Sequence, residues 1–280
     1  YGRLDAFTNI ENAGTAFALD MLDNRNPAIA PVSYPFLWGT HQSDVVQWNG
    51  SAPNKPRSVG PMVRNAGEVV GVFGGLEIKP KKNRFLGRKH KYTSTLDFEG
   101  LGRLEGLVSK LKAPAWDDPN SNLPRVDPVA VARGMVHFQD YCQSCHEVVL
   151  PNEQYDNYDA KMVSVEELGT DEITAWAAAH NRASSGSLAG EKAQILVGDV
   201  MGDSVTSITI PVNGVIGVVL ANPIAALRGV EITANTENKI DHEQLVDTYV
   251  ENRDTFLEDT DDEKAGSAWV LKNGKRVRTI

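Results

Sequence analysis

The sequence predicts a mainly α-helical protein in two parts, an irregular, loop-rich stretch over residues 1–125 and a helical domain over 126–280. Three observations carry this expectation. Apolar residues recur at helical spacing in several short windows, prolines crowd one long stretch of the first part, and a Pro/Asp/Asn-rich segment over 113–124 separates the two. A length of 280 residues suits one large or two ordinary domains. Apolar residues at 41%, charged residues at 23% and a mean hydropathy of −0.31 exclude disordered, fibrous and membrane-embedded classes.

In chain order, Leu4, Phe7 and Ile10, then Ala13, Phe17, Leu19, Met21 and Leu22, predict one helix running to Asn24. From 26 to 61, Pro27, Pro31, Pro35, Pro53, Pro56 and Pro61 predict a long loop. Its aromatic residues Tyr34, Phe36, Trp38 and Trp48 argue for order, so this loop is expected to line something. A short helix follows over 63–72. Another spans 101–111, with Leu101, Leu104, Leu107, Val108 and Leu111 on one stripe and Pro114 as its stop. The second part begins near Val126, where Asp127 serves as N-cap and Pro128 fits the first turn. Val129, Ala132, Met135 and Val136 then mark a helix to Tyr141. Further helices are expected over 164–168, over 170–180, within 212–227 and over 237–258, the last ending in an acidic run. No internal repeat is present.

The net charge of −9 is unevenly spread, +3 over residues 1–140 and −12 over 141–280. An acidic second half excludes nucleic acid as partner, since that role needs cations to displace phosphate counterions. The one basic run, from Lys79 to Lys91, reads as a solvated loop, with a docking patch for an acidic redox protein as the sharper alternative. The longest uncharged stretch, 204–227, is broken by Pro211, Asn213, Asn222 and Pro223, and so reads as buried structure rather than a membrane span. The chain opens at Tyr1 with neither an initiator Met nor a signal segment, as expected of a processed product or a fragment.

Both cysteines fall in one string, Cys142-Gln143-Ser144-Cys145-His146, the C-x-x-C-H attachment sequence of c-type haem. Thiols three positions apart can add to the two vinyl groups of one porphyrin, and the adjacent imidazole of His146 is then carried to the iron as proximal ligand. Gly134 and Phe138 precede Cys142 at helical spacing, so the pair closes an amphipathic helix. Three alternatives compete. A thioredoxin-like pair normally opens a helix, a zinc site needs two more ligands, and two buried thiols could occur by chance. Candidate second axial ligands are Met162, Met201, His137, His180 and His242, none of which stands out.

With that motif in place, three strings of the first part become informative: Val32-Ser33-Tyr34-Pro35-Phe36-Leu37-Trp38-Gly39, Val46-Gln47-Trp48-Asn49-Gly50, and Arg64-Asn65-Ala66-Gly67-Glu68-Val69-Val70-Gly71-Val72-Phe73-Gly74. They resemble the dihaem cytochrome c peroxidase superfamily, in the branch similar to bacterial rubber oxygenases. Trp48-Asn49-Gly50 resembles that family's Trp-Asp-Gly string. The similarity continues through 134–146, Gly169-Thr170-Asp171 and 214–220, covering most of the chain up to about residue 228.

The resemblance implies a c-type cytochrome helical domain over 126–280, preceded by part of a partner haem domain. It implies covalently bound haem c on Cys142, Cys145 and His146, and a second, reactive haem in the intact parent. Neither the first attachment motif nor the family's later Thr-Ala-Pro-Tyr-like segment occurs here, so the chain is expected to be truncated at both ends. It further implies that Trp48 relays electrons between haems, with a buried anchor as the alternative role. Glu68 and Phe73 would border the reactive distal pocket. Glu68 could move a proton there, or simply pair with Arg64 one turn earlier. Arg64 could instead meet a haem propionate. The expected activity is peroxide reduction or dioxygen activation, fed by a redox partner protein or a small-molecule oxidant, in the periplasm or outside the cell. A non-catalytic electron carrier and an olefin-cleaving dioxygenase are the alternatives.

Overall fold

Asp5 opens the first helix by accepting the Thr8 amide at 2.9 Å, and α1 (Ala6–Asn12) runs directly into a π-helical turn, Ala13–Phe17. The computed structural model describes residues 5–239, except 30–31, 48, 56–57, 82–88, 117–118, 120–121, 150–152 and 154–156, and also 268–272 and 275–279. They fall into two compact units, Tyr1–Lys239 and Ile240–Ile280. The boundary expected near residue 125 lies inside the first.

The single helix expected up to Asn24 is thus a helix with a widened last turn. The Thr15 hydroxyl donates to the Glu11 carbonyl at 2.8 Å, a back-bond that competes with the regular ladder. A short 3₁₀ turn, Leu22–Asn24, follows. The proline-rich loop is irregular, as its composition predicts, apart from a small hairpin of β1 (Val45–Val46) and β2 (Ala52–Pro53). Tyr34, Phe36 and Trp38 are exposed there, while Gln47, Ser51, Ala52 and Pro53 of the same loop help wall a cleft.

Next come α2 (Gly60–Glu68), with Pro61 in its first turn, and a second π-helical turn, Val69–Phe73. The basic run expected to be a loop is framed by an antiparallel hairpin, β3 (Leu76–Pro80) with β4 (His90–Ser94), in which Ile78 pairs with Tyr92. Asp97 caps α3 (Phe98–Val108) by accepting the Gly100 amide at 2.9 Å. Asp127 likewise caps α4 (Pro128–Tyr141), accepting from Val129 at 2.9 Å.

The remaining elements are α5 (Val165–Leu168), α6 (Ile173–His180), the strand pair β5 (Arg182–Ser184) and β6 (Ser204–Thr206), α7 (Thr209–Ala221) and α8 (Pro223–Lys239). The helix expected over 237–258 falls, beyond Lys239, outside the described residues. The second unit contributes an antiparallel hairpin, β7 (Ala268–Lys272) with β8 (Lys275–Thr279). Helix therefore predominates among the described residues, as the periodicities predict.

The core of the first unit is assembled around α7. Its Ile210 joins Ala18, Ile78, Leu188 and Met201; its Val218 joins Met62, Phe98 and Ala226; its Val215 joins Ala66 and Val70. An apolar helix buried on several sides is the solution expected when every face meets another element. Pro223 breaks the run, and α7 and α8 meet at 90°. No single helix among the described residues is long and apolar enough to cross a membrane. α8 packs on α3 so closely that a side chain at Gly102 would run into the Gly229 carbonyl, which is why glycine is required at that crossing.

Candidate functional site

The attachment motif sits where α4 ends. The amides of Cys142 and Gln143 both donate to the Phe138 carbonyl at 2.9 Å, closing the helix. The amides of Cys145 and His146 then donate to the Cys142 carbonyl at 3.0 and 2.8 Å. A turn hydrogen-bonded in this way brings positions i, i+3 and i+4 to one side of the backbone, so Cys142, Cys145 and His146 share a face. Both thiols are free and half-buried, and His146 is exposed.

No residue of α4 is buried. Its Val129, Met135, Val136 and Tyr141 are all exposed, as are Val148, Val149, Ile173 and Trp176 further on. The donor set fits a covalently carried haem: two thiols and one imidazole on one side of a turn, at the end of a helix whose apolar side chains are left exposed. The cysteines follow a helix instead of opening one, unlike a thioredoxin-type pair. Among the described residues no group of three or more His, Cys, Asp or Glu is placed to hold a bare metal ion.

The candidate axial ligands have other surroundings. Met201 belongs to the α7 core. His180 stacks on Trp176 with ring centroids 4.8 Å apart, its Nδ1 2.8 Å from the Trp176 carbonyl oxygen. His137 lies exposed on α4 beside Tyr141. The Met162 sulfur packs against Gly50, while His242 is outside the described residues. The stretch after the motif is pinned to the first part at Tyr158, whose amide donates to the Gln42 carbonyl and whose hydroxyl donates to that of Gly39.

A second feature lies where α1, α2 and α7 converge. It is a cleft of about 380 Å³ whose walls include Phe7, Ile10, Val63, Val70, Val212 and Val215. Gly71 lets the walls approach, since a side chain there would come within 2.6 Å of Ile10. The polar residues at this apolar cleft include Arg64, Glu68 and Gln47. Gln47 adopts a left-handed backbone, φ 71°, rare for a residue with a side chain. From there its amide donates to Glu68 Oε1 at 3.2 Å. Burial pushes the Glu68 carboxyl above its ordinary range; Arg64 works against this, Glu105 adds to it, and the Gln47 bond opposes it.

Arg64 is held from behind. Its Nη2 donates to Glu105 Oε2 on α3, which also accepts from Asn65 Nδ2 at 2.9 Å, while His41 Nδ1 lies 2.7 Å from Glu105 Oε1. Burial disfavours charge on Glu105, yet His41, Arg64 and Asn65 outweigh it and hold that carboxyl below the usual value. The Nε of Arg64 is buried with no hydrogen-bond partner among the described residues, a rare condition for a buried donor. His41 and Glu105 also line a smaller cavity of about 140 Å³ with Met62 and Thr233.

Arg64 and Glu68 are thus brought together at one cleft. Trp48 lies outside the described residues, and Phe73 ends the second π-helical turn with its side chain undescribed. His41, Gln47 and Glu105 escape sequence reasoning. His41 and Glu105 lie 64 residues apart in the chain, and only the unusual backbone of Gln47 draws attention to it.

Over 151 residues, 52% of this chain, the sequence is 30% identical to the uncharacterized protein y4iJ of Sinorhizobium fredii. The matched part amounts to 24% of that protein, so this chain spans only a minor share of the curated relative it matches. No family model and no solved structure matches the chain.

Proposed function

We propose that this chain is the haem c electron-transfer part of a dihaem oxidoreductase that reduces peroxide or activates dioxygen outside the cytoplasm. The observation that carries the reading is the hydrogen-bonded turn closing α4, with two free thiols and an imidazole on one face. Cys142 and Cys145 would hold the haem through thioethers and His146 would ligate its iron. Bound there, the haem supplies a one-electron couple.

The cleft supports the catalytic half of the reading. Its lining is largely apolar, Glu68 at the wall would carry a proton to an oxygen atom, and the Arg64 guanidinium would lend positive charge to an acidic group such as a propionate of the second haem. The resemblance assigns Trp48 the role of relay and Phe73 a place at the pocket border. Electrons would come from a redox partner protein, with peroxide or dioxygen as the small-molecule oxidant.

The apolar lining also favours a second reading, in which the cleft admits an olefin to be cleaved with dioxygen. A plain electron carrier would need no such cleft.

The deciding experiment is expression in a host that attaches haem outside the cytoplasm, followed by pyridine haemochrome analysis. One thioether-linked haem per chain is expected. A colourless protein would end the reading. Oxygen uptake with an olefin, set beside peroxide consumption, separates the two catalytic versions, and the absence of both leaves the carrier.

A further inference from the structure

Arg64 and Glu68 are four residues apart on α2, the spacing at which a guanidinium and a carboxylate ordinarily pair. They do not have each other as closest partner. Arg64 is bonded to Glu105, and Glu68 to the Gln47 amide. Three donors converge on Glu105, from the His41 ring, Arg64 and Asn65, and none of the three residues is on its own helix. The cluster is buried: Glu105, Arg64 and His41 are 4%, 7% and 5% exposed. In such surroundings a charged hydrogen bond is stronger than in water and cannot be exchanged for hydration.

We propose that Glu105 is a positioning residue: by capturing Arg64 it withholds the guanidinium from Glu68, so that Glu68 faces the cleft without a tightly bound cation. This rests on the reading of the cleft as the reaction site. Two carboxyls near one cation are then divided by their surroundings. Glu105 keeps the negative charge, and Glu68, facing Arg64 at longer range, the like charge of Glu105 and the neutral amide of Gln47, keeps its proton to higher pH. Neighbouring acids pushed apart in this way take separate roles, one as fixed counter-ion and one as proton carrier. His41 and Asn65 complete the device by filling the rest of Glu105, so that the carboxylate has no reason to turn from the core.

The test is a carboxyl-carbon NMR titration of the purified chain labelled with ¹³C-glutamate, the Glu68 signal being assigned through Glu68→Gln. In the wild-type chain Glu68 is expected to titrate above a glutamate in a reference peptide. In Glu105→Gln, checked for folding by circular dichroism, Arg64 is released and the Glu68 midpoint falls. In Arg64→Gln the midpoint rises, because the guanidinium lowers it even at longer range, and adding Glu105→Gln in that background lowers it far less than Glu105→Gln does in the wild type. A wild-type Glu68 titrating at or below the peptide value overturns the inference without any variant being needed. So does a folded Glu105→Gln with an unmoved midpoint, or an equal fall on adding Glu105→Gln to Arg64→Gln, which would be the loss of Glu105's own charge alone. The readout does not depend on haem, so a colourless chain that titrates as expected sinks the proposed function while leaving this inference intact.

Discussion

The side-chain amide of Asn181, just past the end of α6, donates to Oε2 of Glu11 on α1 at 3.3 Å, across 170 positions of sequence. Glu11 is fully buried and its Oε1 has no partner among the described residues. Burial pushes its pKa up to about 7, Asn181 pulling the other way and Asp5 adding to the rise. Between the ordinary value of 4.5 and about 7 the native state therefore binds more protons than the unfolded one. Stability falls as pH rises through that window and levels off above it. The loss is on the order of 3 kcal/mol. Glu11→Gln removes the titration, so urea unfolding at pH 5 and pH 8 should differ less in the variant than in the wild type. Equal pH dependence in both would rule this out.

Glu105→Ala leaves Arg64 and His41 buried without their shared acceptor. Removing one partner from a buried charge cluster costs about 3–5 kcal/mol, measurable as a lower urea midpoint at unchanged slope. A loss below about 1 kcal/mol, the scale of an exposed pair, would mean that water reaches the cluster.

On the proposed haem attachment, replacing Cys142 or Cys145 singly by Ala should leave one thioether, shift the haemochrome band and keep haem on the chain in a denaturing gel. The double variant should release it. Haem retained covalently by the double variant would disprove attachment through this motif.

Met201 separates ligand from core filler. Its side chain lies among Ala18, Leu188 and Ile210, so Met201→Ala should cost about 2–5 kcal/mol as a cavity mutation. The visible spectrum of the haem-loaded chain should not change. A spectral change with little loss of stability would make Met201 an axial ligand instead.

Gly102→Ala tests the α3–α8 crossing. The added methyl meets the Gly229 backbone rather than a flexible side-chain end, so the helices must separate, at roughly 1–3 kcal/mol. Gly134→Ala on α4, where nothing lies within 4 Å of the new methyl, is the control and should be neutral or slightly stabilising.

What the sequence revealed was local. Asp127 and Pro128 announce α4 because a cap and a first-turn proline act within a few residues. The β3–β4 hairpin was hidden because the alternation of Leu76, Glu77, Ile78 and Lys79 is short and merges into a run of cations. The length of α8 was missed because Thr233, Asn235, Thr236 and Asn238 are indifferent helix formers. Its stability comes from packing on α3, with the Thr233 hydroxyl donating to the Gly102 carbonyl at 3.1 Å. At the cleft, Arg64 and Glu68 could be named as a pair, but the partner that Arg64 takes comes from another helix, and nothing in a four-residue spacing reveals that competitor.

Because Ile210, Val215 and Val218 of α7 each belong to a different cluster, none of the three clusters can loosen alone. The amides of α7 should therefore be among the slowest in the molecule to take up deuterium, opening only when the first unit melts as a whole. Pro211, Val212, Val215 and Ile216 of the same helix wall the cleft. Any molecule that fills the cleft thus grips the part of the chain that opens last, and its binding should register as a higher melting temperature of the entire unit rather than as quieting of a loop.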